Sequence, residues 1–391
     1  MSKDKIWNRQ FTILFMMNFI LNISFYMVST TLSKYLVALG MSVTVAGTII
    51  GAMPMASMLI RPVSGWICDH FSKKKLLLLF LAVNCFCVAG YGMVQSDISY
   101  MALRILHGLS FGITTTAVVA YIAQFIPSKR MGEGLGYFGL TQTLAMAVGP
   151  FIGLVLSKKA GSIVMFYSAG FCVFLSLLSA LFLDDQQPVK AAESLRLKAK
   201  DFFMKEVVIY CILTFTLSSV NGIESSYITL YGKQVGMEDI GWYFTLSAII
   251  LLFSRIWCGR LVDKKGLAAV LYPGIAAVVG ALFLLSLVPE GNKALLFAAA
   301  SVLKALGTGA IQPALQAAAL QSVPSDRRGA ATSTFYVGTD LGQASSPVIA
   351  AGLIDTKGYP FMFRIYVIPI FFAGVLYGLI TKRKKKALSQ R

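Results

Sequence analysis

Long apolar stretches alternate with short polar connections along the whole chain. Most of the apolar stretches are about 20 residues long, the length that a helix needs to cross the hydrocarbon core of a bilayer. They lie at residues 11–33, 44–68, 76–95, 99–122, 131–156, 163–183, 206–231, 240–262, 267–287, 294–317, 328–353 and 361–381. This pattern predicts an all-α membrane protein with twelve transmembrane helices.

The composition favours a lipid-facing protein. Of the 391 residues, 57% are hydrophobic and 13% are charged, whereas about 25% of the residues of a soluble domain are charged. A soluble core cannot absorb so much apolar sequence. The first apolar stretch is long enough to span the membrane, so we expect no cleaved signal peptide.

The formal net charge is +18, and the positions of the basic residues indicate how the chain is oriented in the membrane. Most of the 35 Lys and Arg residues lie near the N-terminus, in the connections after even-numbered helices and at the C-terminus. The opposite connections hold only Lys34, Lys158, Lys159, Lys233, Lys293, Lys357 and Arg364. By the positive-inside rule, we expect both termini on the cytoplasmic side of the plasma membrane. The basic residues therefore do not indicate a nucleic-acid partner.

One long polar connection divides the chain into halves. Residues 184–205 carry alternating charges, which predicts a cytoplasmic linker with an amphipathic portion lying on the membrane. The predicted domains are a six-helix bundle at 1–183, this linker, a second six-helix bundle at 206–381 and a basic cytoplasmic tail at 382–391.

The two halves repeat the same motifs. The segment Arg61–Asp69 has the spacing R-x-x-x-G-x-x-x-D, which returns in Arg255–Asp263. Pro127–Gly132 likewise matches Pro324–Gly329, each just before an odd-numbered helix. Parallel six-helix repeats with a binding site at their interface are a known transporter architecture. We therefore expect two bundles related by pseudo-twofold symmetry.

The repeated motifs resemble those of the major facilitator superfamily over nearly the whole chain. Gly65-x-x-x-Asp69 followed by lysines is similar to the loop motif of that family, with Ser72 where glycine is usual. Arg104-x-x-x-Gly108 resembles its motif in helix 4. Gly149-Pro150-Phe-Ile-Gly153 resembles the antiporter motif of its drug:proton branch, although Ala145 and Leu154 replace further glycines.

This resemblance implies transport by alternating access, without enzymatic activity. It also implies that Asp69 faces the start of helix 11, where it would accept backbone N–H groups near Gly329 and pair with Arg327 or Arg328. We assign gating roles to nine residues: Arg61, Gly65, Asp69, Arg130, Gly149, Pro150, Asp263, Lys304 and Arg327.

Charged residues inside the predicted helices each need a reason, because each costs at least about 2.5 kcal/mol on insertion scales. Glu224 lies in the outer third of helix 7 by its helical rise, and shares a helix face with Asn221 and Tyr227. We favour a proton-coupling carboxylate there, as the resemblance to drug:proton antiporters also suggests. The alternative is a structural carboxylate that is permanently paired with a cation.

Lys304 and Asp340 both come out near mid-membrane on neighbouring helices. We expect a structural or gating ion pair between them, ahead of a second proton-coupling site at Asp340. Arg104 cannot lose its proton, so it cannot itself carry protons. It can hold a carboxylate or a substrate anion, or lower the pKa of Glu224 as substrate arrives. His107, one turn further on, either titrates or forms a satisfied hydrogen bond.

Polar and aromatic residues at helical spacing indicate a binding surface. Aromatic residues at this spacing are usually packing, but those interleaved with amides suit a flat amphipathic molecule. The predicted substrate-binding residues are Asn18, Asn22, Tyr26, Arg104, His107, Asn221, Tyr227, Tyr231 and Gln312.

Several chemistries are not indicated by the sequence. It has six cysteines without a C-x-x-C pair and two histidines, so we expect no metal site and buried free thiols. It contains no G-x-x-x-x-G-K-[ST] motif, so we expect an ion gradient rather than ATP to supply the energy. We expect no cofactor.

The leading hypothesis is a secondary active transporter that exports small amphipathic molecules in exchange for protons. One alternative is a proton-coupled carrier of an anionic or zwitterionic metabolite. An alternative of another class is a non-transporting receptor or scaffold with a transporter fold. The expected partners are the substrate, protons and the lipid bilayer, and we expect the chain to act as a monomer.

Overall fold

The computed structural model describes residues 5–41, 43–185, 204–237 and 240–389. Most of the predicted linker, residues 186–203, lies outside the described residues, as does the end of the predicted basic tail at 390–391. The described residues form helices joined by short turns, and they contain no β-strand.

The first ten long helices are α1 (Arg9–Ala38), α2 (Val43–His70), α3 (Lys73–Gly90), α4 (Asp97–Ile122), α5 (Met131–Ala160), α6 (Ser162–Leu181), α7 (Val208–Gln234), α8 (Gly241–Lys265), α9 (Ala268–Ser286) and α10 (Lys293–Gln321). The last helical segment, Arg328–Ser389, is broken at Gly358, where φ is 80° and ψ is 175°. We call its parts α11, residues 328–357, and α12, residues 359–389. The described residues thus confirm the twelve predicted helices.

Ten helical segments of the described residues are long and apolar enough to cross a membrane. The last of these, Ser325–Lys382, is 58 residues long and includes α11 together with most of α12. The remaining helix, α3, begins with three lysines. A helix satisfies its own backbone hydrogen bonds, which explains why apolar sequence in a bilayer takes this form.

Polar N-caps mark where several helices begin. A side chain before the first turn accepts a hydrogen bond from a free backbone N–H there. The donor and acceptor pairs are Phe11 to Asn8, Lys75 to Ser72, Ser99 to Ser96 and Leu295 to Asn292. These caps place the helix starts close to the predicted polar connections.

Contacts between residues divide the chain into two compact units. Unit 1 comprises Met1–Lys129, Phe138–Met204 and Val323–Thr334; unit 2 comprises Arg130–Tyr137, Lys205–Ser322 and Phe335–Arg391. The start of α5 therefore belongs to unit 2, and the start of α11 belongs to unit 1. The domain boundaries drawn from the sequence remain a prediction.

Each unit has its own helix packing. In unit 1, α4 packs against α2 and α3, and α6 packs against α1 and α3. In unit 2, α10 packs against α8 and α9. Small residues allow close approach between helices. Gly338 and Gly342 of α11 thus lie against the backbone of α7 at Cys211 and Phe215.

The break between α11 and α12 requires glycine. Gly358 has a positive φ, and Gly161, at the equivalent point between α5 and α6, has a φ of 91°. Residues with a Cβ rarely adopt this conformation, which costs them about 1–3 kcal/mol. The repeat is therefore visible in the backbone as well as in the sequence.

We predict that Gly358→Ala lowers the unfolding free energy by about 1–3 kcal/mol, because alanine strains this backbone. The matched control is Gly352→Ala, in the helical part of α11, where an added Cβ meets nothing within 4 Å. Thermal unfolding of the purified protein in detergent should show a lower midpoint for the first variant only. Equal midpoints would contradict a glycine requirement at this break.

Candidate functional site

The carboxylate of Asp69 caps the start of α11 within unit 1. Its Oδ1 accepts a hydrogen bond from the Gly329 N–H at 2.6 Å, and its Oδ2 accepts one from the Ala330 N–H at 2.9 Å. Asp69 is buried, with 5% of its surface exposed. These are the backbone bonds that the sequence predicted for Asp69.

The second copy of the motif makes the same arrangement within unit 2. Asp263, at the end of α8, accepts hydrogen bonds from the N–H groups of Gly132 and Glu133, both at 2.9 Å. These residues form the first turn of α5, whose free N–H groups and helix dipole attract an anion. Both copies of the repeat therefore place a carboxylate on a helix N-terminus.

The glycine of each motif permits this approach. A Cβ added to Gly65 would lie 2.6 Å from the Ser333 Cβ and 2.8 Å from the Ala330 Cα. A Cβ added to Gly259 would lie 2.6 Å from the Gly132 carbonyl oxygen. Since no real Cβ tolerates such distances, the spacing between glycine and aspartate fixes the close contact and the cap together.

The arginine that opens the first motif joins α2 to α4. Arg61 is buried and donates to the Thr115 hydroxyl at 2.7 Å, the Thr116 hydroxyl at 3.2 Å and the Gly112 carbonyl at 3.3 Å. Its own carbonyl accepts a hydrogen bond from Ser333. Arg61 thus holds the helix from which Asp69 extends.

Unit 2 adds ion pairs around its cap. Glu133 pairs with Arg130 at 2.7 Å and with Arg260 at 2.8 Å. Arg260 also donates to the Tyr137 hydroxyl at 2.9 Å. We predicted a role for Arg130 but missed Glu133 and Arg260. An acidic residue in the first turn of α5, beside a favourable dipole, was a signal for Glu133.

Two other predicted gating positions lie just before α11 and within α5. Arg327 lies in the short turn Ser325–Arg327 just before α11. Gly149, followed by Pro150 within α5, approaches α1, and a Cβ there would lie 2.7 Å from the Tyr26 Cβ. This glycine permits close packing between two helices of unit 1. The gating roles themselves remain predictions.

Glu224 is the centre of a buried cluster in unit 2. Its Oε2 forms an ion pair with the Lys304 ammonium of α10, and its Oε1 accepts a hydrogen bond from the Tyr243 hydroxyl of α8. Glu224 is 2% exposed and Tyr243 is completely buried. The sequence did not predict this Glu224–Lys304 pair, and the Lys304–Asp340 pair stays a prediction.

The packing of α8 on α10 sets up this cluster. Ser301, one turn before Lys304, donates to the Tyr243 carbonyl at 2.8 Å. The Tyr243 ring contacts Phe297 edge to face, with centroids 6.2 Å apart. These contacts fix the tyrosine that holds one oxygen of Glu224. Asp340 lies half-buried on α11, and a proton-coupling role for it stays a prediction.

The other predicted binding residues of unit 2 differ in burial and in hydrogen bonding. Tyr231 is buried and donates to the Leu285 carbonyl at 2.9 Å, which gives it a structural role. Tyr227 donates to the Pro347 carbonyl at 2.7 Å. Asn221 and Gln312 are half-buried. Asn221 and Gln312 are therefore more accessible than Tyr231.

In unit 1, the predicted binding residues of α1 take part in packing. The Asn18 amide donates to the Thr141 hydroxyl at 2.6 Å, and the Asn22 amide donates to the Asn18 carbonyl at 2.7 Å. Both residues are buried, while Tyr26 is half-buried. The amides thus satisfy helix contacts as well as lining one face of α1.

Arg104 and His107 form a second buried polar group in unit 1. Arg104 donates to the carbonyls of Ile49 at 3.3 Å and Ile50 at 2.8 Å, and lies 6.0 Å from the centre of the Tyr91 ring. His107 forms a hydrogen bond of 2.9 Å with the Tyr91 hydroxyl. The satisfied hydrogen bond expected for His107 is therefore present.

The described residues contain no group of three or more His, Cys, Asp or Glu side chains that is able to hold a metal ion. The polar groups of both units are instead arranged as helix caps, buried ion pairs and hydrogen bonds between helices. This helical arrangement, with ten segments long and apolar enough to cross a membrane in the described residues, is that of a multi-pass membrane protein.

Comparisons with known proteins identify the family. The family model of the Major Facilitator Superfamily matches residues 14–297 and 240–391. The chain belongs to this superfamily of transporters. Its fold and family are those of transporters rather than of enzymes.

Relatives at low identity support the same assignment. The staphylopine export protein of Staphylococcus aureus is 22% identical over 90% of this chain and 92% of its own. The quinolone resistance protein NorA of the same species is 23% identical over 98% and 99%. A bacterial homologue of the iron transporter ferroportin, solved in an outward-facing state, has the same fold, with a TM-score of 0.81, 15% identity, and 96% and 100% coverage.

We predict that Asp69→Asn accelerates hydrogen exchange at the Gly329 and Ala330 amides by about 2- to 30-fold. The amide lacks the charge with which the carboxylate stabilises the helix N-terminus, a contribution of about 0.3–2 kcal/mol. Hydrogen–deuterium exchange with mass spectrometry measures this rate. Asp263→Asn should act in the same way on the first turn of α5.

The matched control for both variants is Asp355→Asn, because Asp355 is an exposed aspartate near the end of α11. It should leave exchange at both helix starts unchanged. Wild-type exchange at 329–330 in Asp69→Asn would show that its carboxylate contributes nothing to the cap.

We also predict that Lys304→Met destabilises the fold by about 3–5 kcal/mol, since it leaves the buried Glu224 carboxylate without its cation. The double variant Lys304→Met/Glu224→Gln should recover most of that loss, because no unpaired charge remains. Unfolding midpoints of the four proteins in detergent complete the double-mutant cycle. Additive losses would show that the two side chains do not stabilise each other.

Proposed function

We propose that this transporter exports small amphipathic molecules in exchange for protons, by alternating access, and that Glu224 is the proton-coupling residue. The observation that carries the proposal is the buried ion pair of Glu224 with Lys304. A carboxylate in the membrane interior is costly unless it has a partner or a function. Here the partner is a flexible side chain that can be exchanged.

The cluster offers a defined place for one proton. Protonation of Glu224 removes its negative charge and weakens its attraction for Lys304, while the Tyr243 hydroxyl remains within reach of the carboxyl group. Loss of the proton restores the ion pair. The site therefore has two charge states. They differ by one proton and by whether Lys304 is held in the ion pair with Glu224. Such a difference is what coupling between a proton and a substrate requires.

The relatives support export as the direction. Their names describe a staphylopine exporter and a quinolone resistance protein. The first name states export, and the second states resistance to a class of small molecules. At 22–23% identity these names indicate a class of activity and do not identify the substrate of this chain.

A second candidate is a proton-coupled carrier of an anionic or zwitterionic metabolite. The specific observation in its favour is Lys304, whose ammonium would be available to an anionic group whenever Glu224 is protonated. In either case we propose that the chain works in the plasma membrane as a monomer, with both termini in the cytoplasm. The excess of basic residues in alternate connections supports this orientation.

We predict that Glu224→Gln abolishes transport driven by a pH gradient, because glutamine mimics the protonated carboxyl group and cannot release a proton. Glu224→Asp should keep partial activity, since it retains an ionisable group on a shorter arm. Proteoliposomes with an imposed pH gradient, loaded with a fluorescent amphipathic dye, measure the rate. The Gln variant should match protein-free vesicles while still binding a neutral ligand.

The matched control is Glu206→Gln, an exposed glutamate just before α7. It should transport at the wild-type rate. Wild-type proton-driven transport by Glu224→Gln would make Glu224 structural, and Asp340 would become the next proton site to test.

A further inference from the structure

The charges of the buried cluster suggest which ligands fit it. Glu224 and Lys304 carry opposite charges, and their side chains are 3% and 14% exposed. The pair is therefore neutral as a whole and largely removed from solvent. A ligand that binds to one member displaces the other, and the displaced charge then needs a new partner.

We propose that the substrate is a zwitterion that splits this ion pair. Its ammonium group takes the place of Lys304 on Glu224, while its carboxylate takes the place of Glu224 on Lys304. This inference rests on the proposed function of Glu224. It narrows the substrate class to small amphipathic molecules in which both charges lie close enough together to fit between two adjacent side chains.

The two partners of Glu224 differ in how easily they move. Tyr243 is completely buried, its carbonyl is tied to Ser301 and its ring packs on Phe297. Lys304 has four rotatable bonds and is the more exposed member of the ion pair. Substrate entry therefore displaces Lys304, while Tyr243 keeps the carboxylate in position.

Charge balance excludes the simpler ligands. A cation on Glu224 would leave the Lys304 ammonium without a partner, and an anion on Lys304 would leave the carboxylate without one. A zwitterion replaces one internal ion pair with two and leaves no charge alone. The neutral site is therefore complementary to a molecule of zero net charge that has two opposite groups.

The same arrangement makes the proton and the substrate compete, which is what exchange of one for the other requires. A proton on Glu224 removes the partner of the substrate ammonium, so proton and zwitterion compete for the site, as an exchanger requires. A simple anion would instead bind better to Lys304 when Glu224 is protonated, which leads to co-transport. Zwitterion recognition is thus the option that reconciles Lys304 with export in exchange for protons.

Other titratable groups lie on the helices of unit 2. In the described residues, α8 contributes Tyr243 and α10 contributes Lys304 itself. On α7, the hydroxyls of Tyr227 and Tyr231 are engaged with the carbonyls of Pro347 and Leu285. Asp340 lies on α11.

The test uses three fluorescent probes on one scaffold. Nε-dansyl-lysine is a zwitterion, its methyl ester is a cation and its Nα-acetyl derivative is an anion. Binding to the purified protein is followed by dansyl fluorescence. We expect the wild type to bind the zwitterion at least 10-fold tighter than either derivative.

Single variants should reverse the preference in opposite directions. Lys304→Met leaves a lone carboxylate and should favour the methyl ester. Glu224→Gln leaves a lone ammonium and should favour the acetyl derivative; this variant remains available if Lys304→Met fails to fold. The double variant should discriminate among none of the probes. The control, Lys205→Met, changes an exposed lysine and should keep the wild-type order.

The outcomes separate this inference from the proposed function. If the wild type prefers the methyl ester or binds no probe, or if the variants keep the wild-type order, the zwitterion assignment is overturned. Transport of the ester in exchange for protons, lost in Glu224→Gln, would then leave the proposed function standing. Reversed preferences without any effect of a pH gradient would support the zwitterion site and overturn proton exchange.

Discussion

The scarcity of water inside a bilayer is the constraint on which this structure depends. A polar group in hydrocarbon must find its partner within the protein or remain at a high cost. Arg61 and Arg104 therefore bind to threonines and to main-chain carbonyls of a neighbouring helix. Glu224 meets the same constraint with an ammonium group and a phenol. The buried polar side chains consequently set which helices pack together, and in what rotation.

The repeated caps show how one sequence motif produces two related but unequal arrangements. Asp69 and Asp263 each bind two N–H groups at the start of a helix. The second copy adds Arg260, which forms an ion pair with Glu133. The position after each motif also differs. Gly266 ends α8 with a positive φ, whereas Ser72 has φ −58° and caps α3 with its hydroxyl. The departure from the family pattern at Ser72 is therefore explained by a side-chain cap.

The sequence was sufficient to predict the helices and their number, which follow from apolar length, and the resemblance to the superfamily predicted the cap made by Asp69. It was not sufficient to predict the partner of Lys304. Depth along the helices places Lys304 level with Asp340 and Glu224 further out, whereas the packing of α10 brings the Lys304 side chain to Glu224. Ser301 lies one turn earlier on the same face of α10 and donates to the Tyr243 carbonyl, so its position indicates which face of α10 packs on α8. Only the packing of α8 on α10 makes that contact visible.

The partner of each buried carboxylate determines what can disturb it. Asp69 and Asp263 each bind two backbone N–H groups, whose charge distribution does not change with pH. The principal partner of Glu224 is the ammonium of a long side chain, which leaves when the carboxylate is neutralised or when another cation replaces it. The caps therefore respond to the position of a helix, and the Glu224–Lys304 pair responds to charge. This difference is why we place proton coupling at Glu224 rather than at either cap.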